Sequence, residues 1–442
     1  METRFARRRA QRTTLASLAV GQGLLLTAAL LVAAPIAAQT PETRIREILA
    51  SPSFKQATEF IASDQERFVR ELVALTEIPA PPFKEAARAK AFMAMLQQHG
   101  LADVEMDGEG NVTGLRRGTG GMPGLVVVSA HLDTVFPEGT DVKVTRQGTR
   151  LAAPGVGDDT RGLALVLALI RALDAGKFRT DADILFVGNV GEEGEGDLRG
   201  IKFLLQKGKY KDRIRQMLVI DGNESNGITN GGVGSKRYRV TFKGPGGHSY
   251  GAFGLVNPAY AMAGAIARFS RIEVPASPKT TYGIGVVRGG TSVNSIPFEV
   301  SMDVDMRSES CAELKKVDEQ FLALLREAVA EENATRSTKQ GSIEADPKVI
   351  GERPCGETPR SSPIVQTAAA AISAFGLTPR YSISSTDANI PMSLGIPAIT
   401  IGRGGPGDRT HSLDEWTDVE PKGNIVNVQR ALALLLAVAG GR

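Results

Sequence analysis

The chain has 442 residues, 42% hydrophobic and 23% charged, with a formal net charge of +3, which is the balance of an ordinary globular protein and not of a disordered one. The positive charge sits at the front: residues 1–12 carry five arginines against one glutamate, so removing that +4 from +3 leaves the remainder near −1. That excludes an electrostatic case for nucleic acid or for an anionic membrane surface.

In chain order, the arginine-rich start is followed by "LASLAVGQGLLLTAALLVAAPIAA", uncharged as far as Ala38. Charged start, apolar middle and small residues at the end read as a signal peptide over 1–38, with export to the periplasm or beyond. An uncleaved anchor is the alternative, since the run approaches spanning length. Helical patterns follow in "TRIREILAS", "QERFVRELVALTEIPAPP" and "KEAARAKAFMAMLQQHG". Then "GLVVVSA", "ADILFVGNV" and "RQMLVID" read as buried strands, with the apolar helix "LALVLALIRALDAG" between the first two. Strands alternating with helices predict an α/β domain with a mostly parallel sheet. From Lys236 the texture changes to alternating strands, "KRYRVTFKGPGGHS", "TYGIGVVRGG" and "FEVSMDVDMRS", separated or followed by helical patterns. This predicts a small α+β domain over 236–350, inserted into a catalytic domain made of 39–235 and 351–442. Cys311 and Cys355 read as structural, and the sequence leaves their pairing open.

The chemistry-bearing residues fall where strands end. "LVVVSA" runs into His131 and Asp133, spaced so that Asp133 can take the ring proton of His131 and fix its tautomer. The glycine loop "GVGDDTRG" presents Asp158 and Asp159 on the turn into a helix, where one carboxylate can bridge two cations and the other cap the helix. A phosphate-binding loop is excluded, because two carboxylates repel phosphate and the lysine of such a loop is missing. The next strand ends in Glu192 and Glu193, which cannot both face the same way: one suits a metal, the other a bound water as general base. A solvated acidic turn is the plain alternative. Asp221 ends a further strand, and "GDRTHSLDEW" supplies His411. Two imidazoles and three carboxylates without a thiolate suit zinc, cobalt or manganese. Five ligands point to a pair of ions sharing one aspartate. His99, at the end of an amphipathic helix, reads as a surface residue.

"HLDTV", "GVGDDTRG", "GEEGEG", "VIDG", "GPGGHS" and "THS", in that order, resemble the two-zinc metallopeptidase family of peptidase T, carboxypeptidase G, aminoacylase and acetylornithine deacetylase. The resemblance covers nearly all of the chain after residue 38. It implies a two-zinc catalytic domain interrupted by a lid that often dimerises. His131 then belongs to one ion and His411 to the other, with Asp158 between them, Glu193 a ligand and Asp221 completing the second ion's set. Glu192 is the implied general base, Asp133 the residue that orients His131, and a cis peptide is implied after Asp158. Thr160-Arg161 stands where the family usually has lysine, a departure that bears on the placement of the loop. His248 is implied as an oxyanion donor, in many relatives to the partner's site; Asn294 and Arg307 are implied substrate contacts, with a strand-end ion pair the alternative for Arg307. The loop "GRGGPGD", around Gly404, can offer backbone N–H groups to the same substrate carboxylate.

The function expected is therefore an exported exopeptidase that hydrolyses small peptides through a two-metal site, as a homodimer, with the end it attacks left open. An N-acyl amino acid deacylase is the nearer rival and a non-catalytic binding protein on the same scaffold the remoter one. No nucleic-acid partner is expected, and no membrane partner once the leader is cut.

Overall fold

The computed structural model describes residues 39–442, so the leader read from residues 1–38 lies outside it. Two helices open the described chain, Pro41–Ala50 and Pro52–Thr76. Each begins with proline behind a capping hydroxyl: Thr40 accepts the N–H of Thr43, and Ser51 that of Phe54. The helix Thr160–Ala175 is buried from Thr160 to Leu173, which explains its unbroken apolar sequence. It packs between the central sheet and the closing helix Pro421–Ala439.

Among the described residues the central sheet has nine strands. Four neighbours at its middle, Asp183–Asn189, Leu125–His131, Ile214–Ile220 and Ala398–Ile401, run parallel. Antiparallel strands extend it on both sides, beginning with Val112–Arg116 on one and Gly227–Gly232 on the other. The register sets His131 against Asn189, so the end of one strand lies beside the turn that carries Glu192 and Glu193. The carboxyl ends of three adjacent parallel strands thus open on one edge, where such sheets gather functional groups.

The inserted part is a four-stranded antiparallel sheet in the order Thr280–Gly289, Glu299–Ser308, Gly234–Lys243, Glu344–Arg353. Its strands begin at Gly234 and end at Arg353, slightly outside the 236–350 expected from the texture of the sequence. Val240, Met302, Val304 and Met306 turn inward onto the helices Pro258–Phe269 and Cys311–Thr335. Cys311, which opens the second of these helices, forms a disulfide with Cys355, just past the last strand. A third, small sheet pairs Trp416–Asp418 with Arg150–Ala152, which brings Glu415, the residue just before the first of these strands, alongside the glycine loop. Among the described residues no helix is long and apolar enough to cross a membrane.

Candidate metal centre

The glycine loop answers the question of what its N–H groups hold. Those of Gly155, Gly157 and Asp158 donate to the carboxylate of Glu415, at 2.9, 2.9 and 2.8 Å. In a nucleotide site a phosphate would take these bonds; here a buried side chain of the same chain takes them and turns Asp158 outward. The Asp158–Asp159 peptide is cis. Asp159 stands at the N-cap of the following helix but does not cap it; its carboxylate accepts the backbone N–H of His131 at 3.1 Å instead. Gly162 is required beneath it, since a Cβ there would lie 2.3 Å from Asp159 Oδ1. Arg161, which replaces the expected lysine, turns away from the cavity. It donates to Thr417 Oγ1, to the Asp418 carbonyl and to Asn424 Oδ1, and burial pushes its pKa down to about 9. The departure therefore anchors the loop to the closing part of the chain.

Asp158 presents one oxygen to each histidine. Oδ1 is 3.0 Å from His131 Nε2, and Oδ2 is 3.3 Å from His411 Nε2. His411 Nε2 also meets Glu193 Oε1 at 2.7 Å. Among the described residues, donor atoms within 4.8 Å of one another form three groups: His131–Asp158–Asp221, Asp158–Glu193–His411 and His131–Glu192–Glu193. Asp221 therefore falls with His131 and not with His411, a correction to the expected ligand sets. The expected role of Asp133 also changes. Its carboxylate stands 3.6 Å from His131 Nδ1, and the ring bonds at 3.0 Å to the Asp133 backbone carbonyl. The carboxylate instead accepts the N–H groups of Glu192 and Glu193, at 3.0 and 2.8 Å, and so sets the turn that carries both glutamates.

Electrostatics show what this cluster lacks. Burial pushes the carboxyls of Asp159 and Glu192 well above the usual range, and that of Asp221 up as well. Asp387, bonded to Asn189, is pushed by burial up to about 7. Asp158 goes the other way: burial is outweighed by Arg403, His131 and His411, which hold it well below. Hydrogen bonds to Asp158 and Glu193 raise His411 to about 10. Added positive charge would relieve acids pushed up in this way, and the nitrogen and oxygen donors around them suit divalent cations. The residues fit a metal centre.

Four buried charged residues here escaped the sequence reading. Arg403 Nη1 lies 2.8 Å from Asp221 Oδ1 and 3.4 Å from Asp158 Oδ1. Arg353 bonds Glu192. Glu415 holds the glycine loop, and Arg88 donates to the carbonyl of Leu132, between His131 and Asp133, at 2.8 Å. A buried lone charge has no periodicity: Glu415 lies in the quoted stretch "GDRTHSLDEW" and Arg403 in the loop "GRGGPGD", yet nothing local marked either side chain, and Arg88 and Arg353 stand in neither.

A cavity of about 500 Å³ opens over the cluster, and its lining includes Asp158, Glu192, Glu193, Asp221, His411 and Arg307. Arg307 also pairs with Asp305 through Nε, at 2.7 Å. His248 and Asn294 do not line the cavity. His248 lies on a separate two-stranded ribbon and Asn294 in the turn just before its second strand, both exposed, with the Asn294 carbonyl accepting the Ser249 N–H. Gly404 does not line it either: its backbone is buried against Asn427, whose side chain a Cβ would strike at 1.9 Å. His99 is half-buried, not a free surface residue.

Fold and donor set together define a metal-binding hydrolase. The model of peptidase family M20/M25/M40 matches residues 127–437, and the chain belongs to that family. Among solved structures it is similar to the aminopeptidase PepT of Bacillus cereus, at 22% identity over 85% of this chain and 99% of that one, with a TM-score of 0.68. It is similar also to the dipeptidase Dug1p of Saccharomyces cerevisiae, at 15% identity over 88% and 98%, TM-score 0.67. The Bacillus subtilis YXEP protein, a dinuclear metal-binding peptidase, matches at 16% identity over 85% and 99%, TM-score 0.61. At such identities the likeness is one of fold. No curated protein matches the chain by sequence.

Proposed function

We propose that this protein is an exported exopeptidase that hydrolyses amide bonds of small peptides at a two-cation centre. The observation that carries this reading is the placement of Asp158, one oxygen toward His131 and the other toward His411, with Glu192 beside them. His131, Asp158 and Asp221 would hold one ion, and Asp158, Glu193 and His411 the other. When bound, such cations polarise a carbonyl and ease the loss of a proton from water, and zinc suits this donor set. The chain's own part is proton handling and orientation. Glu192 takes the proton of the attacking water at its carboxylate and gives it to the leaving amine. Arg307, which lines the same cavity, receives a substrate carboxylate.

The test is mass-spectrometric cleavage of a peptide panel in free, N-blocked and C-amidated forms, with N-acyl amino acids alongside, by the zinc-loaded protein. The expected result is removal of single end residues. Loss on C-amidation marks a carboxypeptidase gripping through Arg307, and loss on N-blocking an aminopeptidase. Cleavage of N-acyl amino acids alone replaces the peptidase with a deacylase.

The same reading holds that the chain is cut after Ala38 and that two copies pair, each lending His248 to the other's site. Supporting this, His248 is exposed away from its own cavity, and Tyr250 and Phe253 beside it are 90% and 87% exposed. Native mass spectrometry of protein from the exported fraction should give a dimer of chains beginning near Gln39. A monomer, or an intact leader, removes the corresponding part.

A further inference from the structure

Arg353 closes the last strand of the inserted sheet, opposite Ser235 in register, yet its guanidinium reaches into the other part of the fold. Nη1 donates to Glu192 Oε1 at 3.1 Å and to Ser385 Oγ at 3.0 Å, and Nη2 donates to the Glu192 backbone carbonyl. Among the described residues no other side chain bonds the Glu192 carboxylate. Oε1 is held, and Glu192 also lines the cavity.

The backbone that carries Arg353 is fixed from both sides. The carboxylate of Asp197, in the loop after Glu193, accepts the Glu352 N–H at 3.0 Å, and Lys202 Nζ donates to the Glu352 carbonyl at 2.9 Å. Asn389 donates to the carbonyls of Val233 and Pro354, both at 2.8 Å, and so ties together the two segments that cross between the sheets. Cys355 follows at once, joined to the start of the helix Cys311–Thr335. The crossings touch at that point: a Cβ on Gly234 would sit 3.1 Å from Cys355 Cβ.

We propose that Arg353 is the positioning residue of Glu192 and that the Cys311–Cys355 disulfide keeps it in place, so that reducing this bond loosens the general base. This rests on the reading of Glu192 as the base. Cys311 is exposed, which gives an external dithiol access to the bond. The exchange balances: the dithiol is oxidised to its own disulfide and its two protons and two electrons leave Cys311 and Cys355 as thiols.

The experiment uses the full chain and the peptide it cuts best. Arg353→Ala should lower kcat by about 10²-fold, the scale expected when a reacting group loses its alignment, with KM little changed. Guanidinium ion in solution should restore part of the loss, which a merely structural role would not allow. Arg353→Lys, which keeps a charge in the slot, should fall between the two and covers the case in which alanine does not fold. Amide exchange over residues 192–198 should rise in Arg353→Ala and, in the parent, on reduction. Reduction should lower kcat of the parent and add nothing in Arg353→Ala. Full kcat in Arg353→Ala beside an inactive Glu192→Gln overturns the positioning role and leaves the base standing, as does a loss that guanidinium does not repair. An active Glu192→Gln overturns the reading beneath it. A reduction effect undiminished in Arg353→Ala overturns the link to the disulfide.

Discussion

Glu192→Gln is expected to lower kcat by about 10²–10⁴-fold, the range that a positioned general base contributes, while the protein keeps as much metal as the parent. The adjacent glutamates diverge: Glu193 turns to His411, and Glu192 turns to Arg353. Glutamine preserves the shape of the side chain, and its carbonyl oxygen can still accept from Arg353 and leave the Asp133-bonded turn intact. What disappears is the ability to take up a proton. Glu193→Gln is the contrast, because it weakens a group of three donors and should lower bound metal first and activity as a consequence. Kinetics and elemental analysis on the same preparations separate the two. Parental turnover in Glu192→Gln, or metal lost to the same extent as in Glu193→Gln, would sink the assignment.

The residues legible in the sequence share one property: each ends an apolar strand or stands in a glycine loop, so a local pattern pointed to it. His131 ends the first of the buried strands Leu125–His131, Asp183–Asn189 and Ile214–Ile220, Glu192 and Asp221 follow the other two, and the parallel register does the rest. The residues that organise them were not legible, because their partners are far away in the chain. Arg353 and Glu192 are 161 positions apart, and Glu415 and Gly157 are 258 apart. The strand Glu344–Arg353 was missed as well. Its sequence "EADPKVIGER" is charged, half-exposed and contains Pro347, as suits the edge of a sheet. Missing that strand also hid Arg353. Asp133 shows a different limit. Its spacing from His131 was read as a strand contact, but the strand stops at His131, and beyond it the chain turns so that backbone and side chain exchange the expected partners.

Arg403→Leu is expected to cost the chelator-treated protein about 3–5 kcal/mol, the range for removing one partner of a buried charge pair. Arg403 is 1% exposed, and its Nη1 is shared among Asp221, Asp158 and, at 3.8 Å, Asp159; Nη2 donates to Asn223 Oδ1 at 2.9 Å. Leucine fills part of the space but leaves these largely buried carboxylates facing one another without the guanidinium between them. They also push the guanidinium's own pKa further up despite burial, so in the parent the charge is permanent. Divalent cations held by His131, Asp158 and Asp221 would bring positive charge to the same acids. Saturating zinc should therefore stabilise Arg403→Leu by more than it stabilises the parent, since binding to the folded form alone shifts the equilibrium by mass action. Arg403→Lys, which keeps a charge on a shorter reach, should lose less than leucine. Urea titrations of the three proteins, in chelator and in zinc, read each of these differences. A leucine variant as stable as the parent in chelator would mean that the acids are neutralised by protons without Arg403. A loss of the same size in zinc and in chelator would mean that the side chain serves packing alone.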